Sequence, residues 1–416
     1  MLTALLLALP LLGAAAADPD PKLLDRARGL LERAPLIDAH NDLPTMLVEK
    51  LRGDLSKLDF GKEQPTLCAD LPRMRQGRLG AQYWSIWVNS ANAKTHTSLH
   101  EALLEFDAGL RLIESRPELE LARTADDIER IHKAGRIASL FGVEGGHMIE
   151  GAPEVLRIFA RLGARYLTLT HWDTIEWADA ATDRAANDGL SKIGEKIVRE
   201  LNRLGMFADI SHVSPETMRD VLRVTRAPVI FSHSNSLAID GHPRNVPDDV
   251  LKLLAHNGGV IHVNFIKAFI SSEETAYSDK RKQARRELRA KVDTDEALGK
   301  AAEEWEKQNP YPRTAISQVA DHIDHIRKVA GIDSIGIGAD YSDADPNTMV
   351  EGLQDVSRYP YLFAELLRRG YTDDDVLKIA GRNHLRAMRA MEKVAEELRK
   401  AEPPLVLPPP PVAVAK

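Results

Sequence analysis

One cysteine, Cys68, in 416 residues leaves no second thiol for an intramolecular disulfide and no thiolate cluster for a metal. Aromatic residues make up only 5% of the chain, and they do not interleave with any run of Lys and Arg. The 55 basic and 62 acidic residues nearly balance, for a net charge of −7. A nucleic-acid partner is therefore not expected. There is no GxSxG elbow, and Cys68 has no evident base partner. Covalent catalysis through Ser or Cys thus finds no support. The first apolar run is followed by His40-Asn41-Asp42-Leu43-Pro44 rather than by a glycine-rich phosphate loop. What is present is ordinary globular composition, 44% hydrophobic and 28% charged, in a chain long enough for a large core.

The two ends stand apart from that composition. Residues 1–18 are apolar and close on small residues, which reads as a secretory signal with cleavage after one of Ala14 to Ala17. The run is too short for a comfortable bilayer span. An exported chain, periplasmic or secreted, with no transmembrane span in its mature form is expected. Residues 401–416 are rich in proline and suit neither helix nor central strand. They are expected to form an extended, loosely held terminus.

Between the ends, six stretches share one shape, a short apolar run that stops at a histidine or a carboxylate. They are LIDAHND, IASLFGVEGG, YLTLTHWD, MFADISH, PVIFSH and SIGIGADY, which stop at His40 and Asp42, Glu144, His171, His212, His233 and Asp340. A strand buried on both faces reads as such a run. A polar group where the run ends sits at one edge of the sheet. His, Asp and Glu gathered there are the ligand types of zinc and similar divalent metals.

Amphipathic helical patterns separate the runs, several opening on Ser, Pro or Asp and closing on Gly. SPET, at Ser214 to Thr217, places a Ser cap before a Pro at the first helical position. Strand and helix in alternation imply a parallel sheet. Eight strands are expected near 36–41, 81–88, 137–143, 165–170, 206–211, 228–232, 259–264 and 334–339. Eight units favour a closed α/β barrel of the (β/α)8 TIM type over an open doubly wound sheet. One catalytic domain over 19–400 follows. The charged, helix-prone segment at about 270–312 interrupts it, as a solvated excursion or, more sharply, as a lid or wall of the site.

His40 and Asp42 lie at i and i+2 on a strand, so both can grip one metal from the same side. Glu144 can bridge two cations with its two oxygens, or cap the next helix. His212 and His233 end consecutive strands, close enough to share a metal. His171 is either a further ligand or a donor that polarises a substrate carbonyl. Asp340 can shuttle a proton. Arg244 can fork onto a substrate carboxylate or form a surface ion pair. His322 and His325 sit on a helix outside the barrel and read as structural. His96, His100, His132 and His256 lie away from the strand ends, and His147, His242 and His262 stay unassigned.

IDAHNDLP, GVEGG, LTLTH, NRLGMFADISHVS, IFSHSNS, HPRNVPDD, VADHIDHIRKVAGIDSIGIGADY and GRNHLR together resemble the membrane dipeptidase (renal dipeptidase) family, the M19 metallopeptidases. The resemblance runs over roughly residues 30–395, nearly the whole chain. It implies a binuclear zinc hydrolase on an amidohydrolase-like barrel, with two Zn2+ bridged by Glu144. His40 and Asp42 would hold one ion, and His212 and His233 the other. His171 would contact the substrate, Arg244 would bind its C-terminal carboxylate, and Asp340 would carry the proton. The implied reaction is attack of a metal-bridging hydroxide on a dipeptide, with a D-residue tolerated at the C-terminal position, in a homodimer. The chain departs from the family in having Asp340-Tyr341-Ser342-Asp343 where DFDG is frequent. It also has Trp172-Asp173 directly after His171, and it lacks the family's animal-type cysteines and lipid-anchor signal. Two alternatives stay open: a binuclear hydrolase of N-acyl amino acids or lactams, and a non-catalytic metal-binding barrel.

Overall fold

A computed structural model describes residues 19–67, 69–310, 312–342 and 348–407. The expected signal over 1–18, Cys68, Asp343 and the tail beyond 407 lie outside the described residues. Nine strands alternate with helices: β1 (Leu36–Asn41), β2 (Leu79–Trp87), β3 (Leu119–Leu121), β4 (Ile137–Glu144), β5 (Ala164–Thr168), β6 (Phe207–Asp209), β7 (Ile230–Phe231), β8 (Val260–Val263) and β9 (Ile335–Ile337). All pairings between them are parallel. The order runs β2-β1-β9-β8-β7-β6-β5-β4, and β2 pairs with β4 to close it. The result is the eight-stranded α/β barrel that the alternation predicts.

β3 is the one strand without a counterpart in the eight expected runs. It pairs with Ile137 to Ser139 of β4, below the stretch from Phe141 to Glu144 that β5 takes. At three residues, with only Leu119 buried, it is too short to stand out as an apolar run.

The caps behave as the turn chemistry requires. Ser191 and Ser214 accept the N–H groups of Gly194 and Thr217 at the starts of their helices. Gly163, Gly205 and Gly258 close three helices in the left-handed conformation. These helix ends deliver the chain into the strands that follow, and β1, β4, β5, β6, β7 and β9 each bring a polar residue to the same rim.

The opposite end of the barrel is plugged by a directed polar chain. The Phe231 carbonyl can only accept, so His262 Nδ1 donates to it, at 2.7 Å. His262 Nε2 then accepts from His384 Nδ1 at 3.0 Å, and His384 Nε2 from the Tyr83 hydroxyl at 2.8 Å. Every member is buried and satisfied. This accounts for His262 and for the GRNH segment: Asn383 donates to the Ile332 and Ile335 carbonyls at the start of β9. His322 is buried on its helix, accepting from Ser236 N–H and donating to the Ile270 carbonyl. Its role is structural, and it ties down the loop after β7.

The insertion forms two helices, Ser272–Arg289 and Asp295–Gln308, packed through Tyr277 and Trp305 with ring centroids 5.8 Å apart. None of the described residues of 270–312 lines the cavity described below; Ile266 and Phe269, just before the insertion, do. Leu405 in the tail is held at both backbone groups, its N–H by Glu200 and its carbonyl by Arg157, so the chain is anchored up to that point rather than loose. No described helix is long and apolar enough to cross a membrane.

Candidate metal centre

Each of the six run-ending positions lies at the carboxyl end of its strand. Asp42 follows β1 and Glu144 is the last residue of β4. His171, His212 and His233 lie just past β5, β6 and β7, and Asp340 just past β9. The loop after β9 is zipped to β1 by Asp42 N–H donating to the Tyr341 carbonyl at 3.0 Å and Asp340 N–H to the His40 carbonyl at 3.3 Å. Asp38 reinforces the seam, accepting from Ala339 N–H at 2.8 Å and from the Tyr359 hydroxyl at 2.6 Å.

Glu144 is the centre of the cluster. One carboxylate oxygen, Oε2, is 3.3 Å from His40 Nε2. The other, Oε1, is 3.0 Å from His212 Nε2, 3.2 Å from His233 Nε2 and 3.8 Å from His171 Nε2. His40 Nε2 is also 3.3 Å from Asp42 Oδ1 and 3.9 Å from Asp340 Oδ1. Three triads within ligand reach result: His40, Glu144 and His233; Glu144, His171 and His212; and His40, Asp42 and Asp340. The geometry thus brings together all seven of the expected His and carboxylate residues. It also places His171 within reach of a metal, one of the two readings its sequence position left open, and Asp340 as well, to which the sequence reading gives only proton transfer.

The residues fit a divalent metal on their own terms. His212 Nε2 and His233 Nε2 face each other at 2.9 Å, and both are buried. Burial first, and nearby positive groups next, hold both rings well below the ordinary imidazole range, so they stand neutral at pH 7. Two neutral nitrogens and a carboxylate oxygen converging on one point form a ligand set. His40 Nε2 and Asp42 Oδ1 are buried without a hydrogen-bond partner among the described residues. Such groups are costly unless something binds them. Burial opposes ionisation of Glu144, but the histidines around it outweigh that and hold its carboxyl well below the usual range.

Residues the sequence reading missed orient this set. His40 Nδ1 is 2.9 Å from the Tyr166 hydroxyl, which itself donates to the Ala39 carbonyl. His40 Nδ1 therefore carries a proton, which turns Nε2 toward Glu144 and Asp42; against burial, Tyr166 and those two carboxylates hold this ring well above the ordinary imidazole range. Tyr166 can lie there because position 142 is glycine: a Cβ on Gly142 would stand 1.8 Å from the tyrosine ring. Trp87 directs its indole N–H at the His171 ring, at 3.1 Å. Burial, against the pull of Glu144, pushes His171 down to about 4. A Trp at the end of β2 gives no ligand signal in sequence, and Tyr166 lies inside an apolar run, so neither was legible.

Two non-glycine residues here, His212 and Asp340, adopt left-handed backbone conformations, with φ of 66° and 65°. That conformation costs roughly 1–2 kcal/mol per residue, and such strain gathers at functional sites. The His212 carbonyl accepts Ala181 N–H at 2.7 Å, which docks the loop over 171–190 onto that histidine.

Arg244 is 1% exposed, which excludes the surface ion pair. Its Nη2 donates to the His233 carbonyl at 3.2 Å, and its guanidinium lies 5.5 Å over the Phe269 ring. Its Nε has no partner, and no carboxylate pairs with it among the described residues. Burial pushes it down to about 10, so it stays cationic. His242 and His147 fall out of the site: His242 Nδ1 accepts Arg244 N–H, and His147 Nε2 bonds the Val88 carbonyl. A cavity of about 420 Å³ opens over the cluster, lined by Asp42, Met46, Trp87, Trp172, Phe269 and Asp340 among others.

Comparison with known proteins agrees with this picture. The family model for membrane dipeptidase (peptidase family M19) matches residues 24–402. Among solved structures, the chain is similar to one described as the probable dipeptidase PvdM from Pseudomonas aeruginosa. That match has 24% identity and a TM-score of 0.79, over 90% of this chain and 100% of that one. It is similar to a dipeptidase AC of the same peptidase family at 24% identity and TM-score 0.68, over 86% and 98% of the two chains. A metallo peptidase from Rhodobacter sphaeroides, liganded with a phosphinate mimic of the dipeptide L-Ala-D-Ala, matches at 23% identity and TM-score 0.67, over 86% and 99%.

Proposed function

The chain belongs to the membrane dipeptidase family, peptidase family M19, and is a metallo-dipeptidase; from that premise we propose that it is a zinc enzyme that holds two ions per chain and cleaves dipeptides, including those with a C-terminal D-residue. The observation that carries this reading is the buried set around Glu144 beside the buried guanidinium of Arg244, with which no carboxylate pairs among the described residues. His40 and Asp42 would hold one ion, His212 and His233 the other, and Glu144 both. When bound, the metal pair would acidify a water and stabilise negative charge on the substrate's carbonyl oxygen.

The chain's own groups do the rest. Arg244, cationic and dry, binds the substrate's carboxylate end, and a charge-assisted pair there is strong because water is excluded. His171 is neutral, so one of its ring nitrogens carries a proton to offer the carbonyl oxygen as charge develops, and the Trp87 indole N–H, 3.1 Å from both ring nitrogens, holds the ring in place. Asp340 takes the proton from the attacking water and passes it to the leaving amine. Burial, with the charges of Asp42 and Glu144, raises Asp340 to about 7, against the pull of His40 and Arg244. A group poised there can both accept and donate a proton. The family's dimeric habit and the apolar leader motivate two further parts of the reading, a homodimer and export to the periplasm or beyond.

Arg244→Gln tests the substrate assignment. Breaking a buried charge pair costs about 2–5 kcal/mol, which is roughly a 30- to 5000-fold fall in kcat/KM, carried mostly by KM. Zinc content should stay unchanged. An unaltered KM for dipeptides would remove Arg244 from substrate binding.

A further inference from the structure

Asp209 lies inside the run that forms β6 and is fully buried, yet neither the ligand set nor the substrate roles use it. It accepts four hydrogen bonds, divided by oxygen. Oδ1 takes two backbone N–H groups, from Ser211 at 3.1 Å and Ser232 at 2.8 Å. Oδ2 takes two hydroxyls, Thr168 and Ser232, both at 2.5 Å. Ser232 Oγ is also 2.8 Å from His233 Nδ1.

These contacts have a fixed direction. Ser232 has one hydroxyl proton, and a carboxylate can only accept. The proton goes to Asp209, so the Ser232 oxygen must accept from His233, and His233 Nδ1 must carry hydrogen. His233 Nε2 is then a bare lone pair, and it is the atom 2.9 Å from His212 Nε2 and 3.2 Å from Glu144 Oε1. We infer that Asp209 is a positioning residue that acts through Ser232 to fix the ligating tautomer of His233, and so sets metal affinity at the position His233 shares with His212 and Glu144. His212 Nδ1 has no hydrogen-bond partner among the described residues, so none of them does the same work on that ring. The relay supplies the oriented histidine for that position.

The two oxygens of Asp209 make the test sharp. In Asp209→Asn the backbone N–H groups of Ser211 and Ser232 still need an acceptor, so they fix the amide oxygen at the Oδ1 place. The amide nitrogen then falls at the Oδ2 place and donates to Ser232. Ser232 must turn its own proton onto His233 Nδ1, which moves the ring proton to Nε2, against the metal. Asp209→Asn thus inverts the tautomer with almost no change in shape, and Ser232→Ala cuts the relay without inverting it.

The inference rests on the two-zinc reading, so the measurement is zinc binding itself rather than turnover. Wild type, Asp209→Asn, Ser232→Ala and the double variant are titrated with zinc against a chromophoric chelator, with the melting temperature of each metal-free protein recorded. Wild type should take up two ions. Ser232→Ala should lose about 10- to 100-fold in affinity at one of them, and Asp209→Asn should lose at least as much. In the Ser232→Ala background, Asp209→Asn should have no further effect on zinc. Wild-type affinity at both ions in Ser232→Ala and Asp209→Asn, whether or not their melting points fall, would overturn the positioning role alone. Independent losses that multiply in the double variant would also overturn it. No zinc uptake by wild type would overturn the metal reading beneath it.

Discussion

Asp340→Asn is expected to keep its full zinc content and to lose about 10²- to 10⁴-fold in kcat, the usual contribution of a positioned proton carrier. The substitution is nearly isosteric, and asparagine tolerates the left-handed backbone that Asp340 adopts at φ 65°. Its backbone N–H bond to the His40 carbonyl is untouched. What disappears is the capacity to take a proton and return it. Asp340 Oδ1 is 3.9 Å from His40 Nε2, which is within a candidate metal triad. The zinc content of this variant therefore decides between two roles. Content unchanged with turnover lost assigns proton transfer, whereas a parallel loss of one ion makes Asp340 a ligand instead.

Glu144→Ala should empty the site. Among the described residues, Glu144 is the carboxylate that pairs within 4 Å with His40, His171, His212 and His233 together. Removing it takes a ligand from each position and leaves four imidazoles with no anion between them. Uptake is expected to drop from two ions to fewer than one at micromolar free zinc, with dipeptide turnover lost. Elemental analysis of the variant after dialysis reads this directly. Two retained ions would show that Glu144 does not bridge.

The barrel and the rim of the site were legible because parallel barrel strands are apolar on both faces, so each run marks its own end. Even β6 and β7, only three and two residues long, announced themselves through MFADISH and PVIFSH. The residues that orient the ligands were hidden by the same logic. Tyr166 meets His40 across the barrel interior, 126 positions away in sequence, through the gap left by Gly142. Trp87 and His171 come from β2 and from beyond β5, which become neighbours through β4 only when the sheet closes. Asp38 and Asp209 did leave a trace, since a carboxylate inside an apolar run needs a buried reason to be there. Arg244 was ambiguous because a loop arginine reads as surface until burial is known. Its loop folds inward because Asn245 donates to the Asp240 and Phe269 carbonyls.

The central claim, that two zinc ions at the Glu144 cluster drive dipeptide hydrolysis, is tested most directly by one assay. The purified chain is given L,L and L,D dipeptides and N-acyl amino acids as loaded protein, after chelator treatment, and after zinc is restored. The account predicts release of free amino acids from dipeptides, abolished by the chelator and recovered as zinc returns to two ions per chain. Dipeptide turnover indifferent to chelation would contradict it, as would a chain with two bound zinc ions that cleaves only the N-acylated compounds.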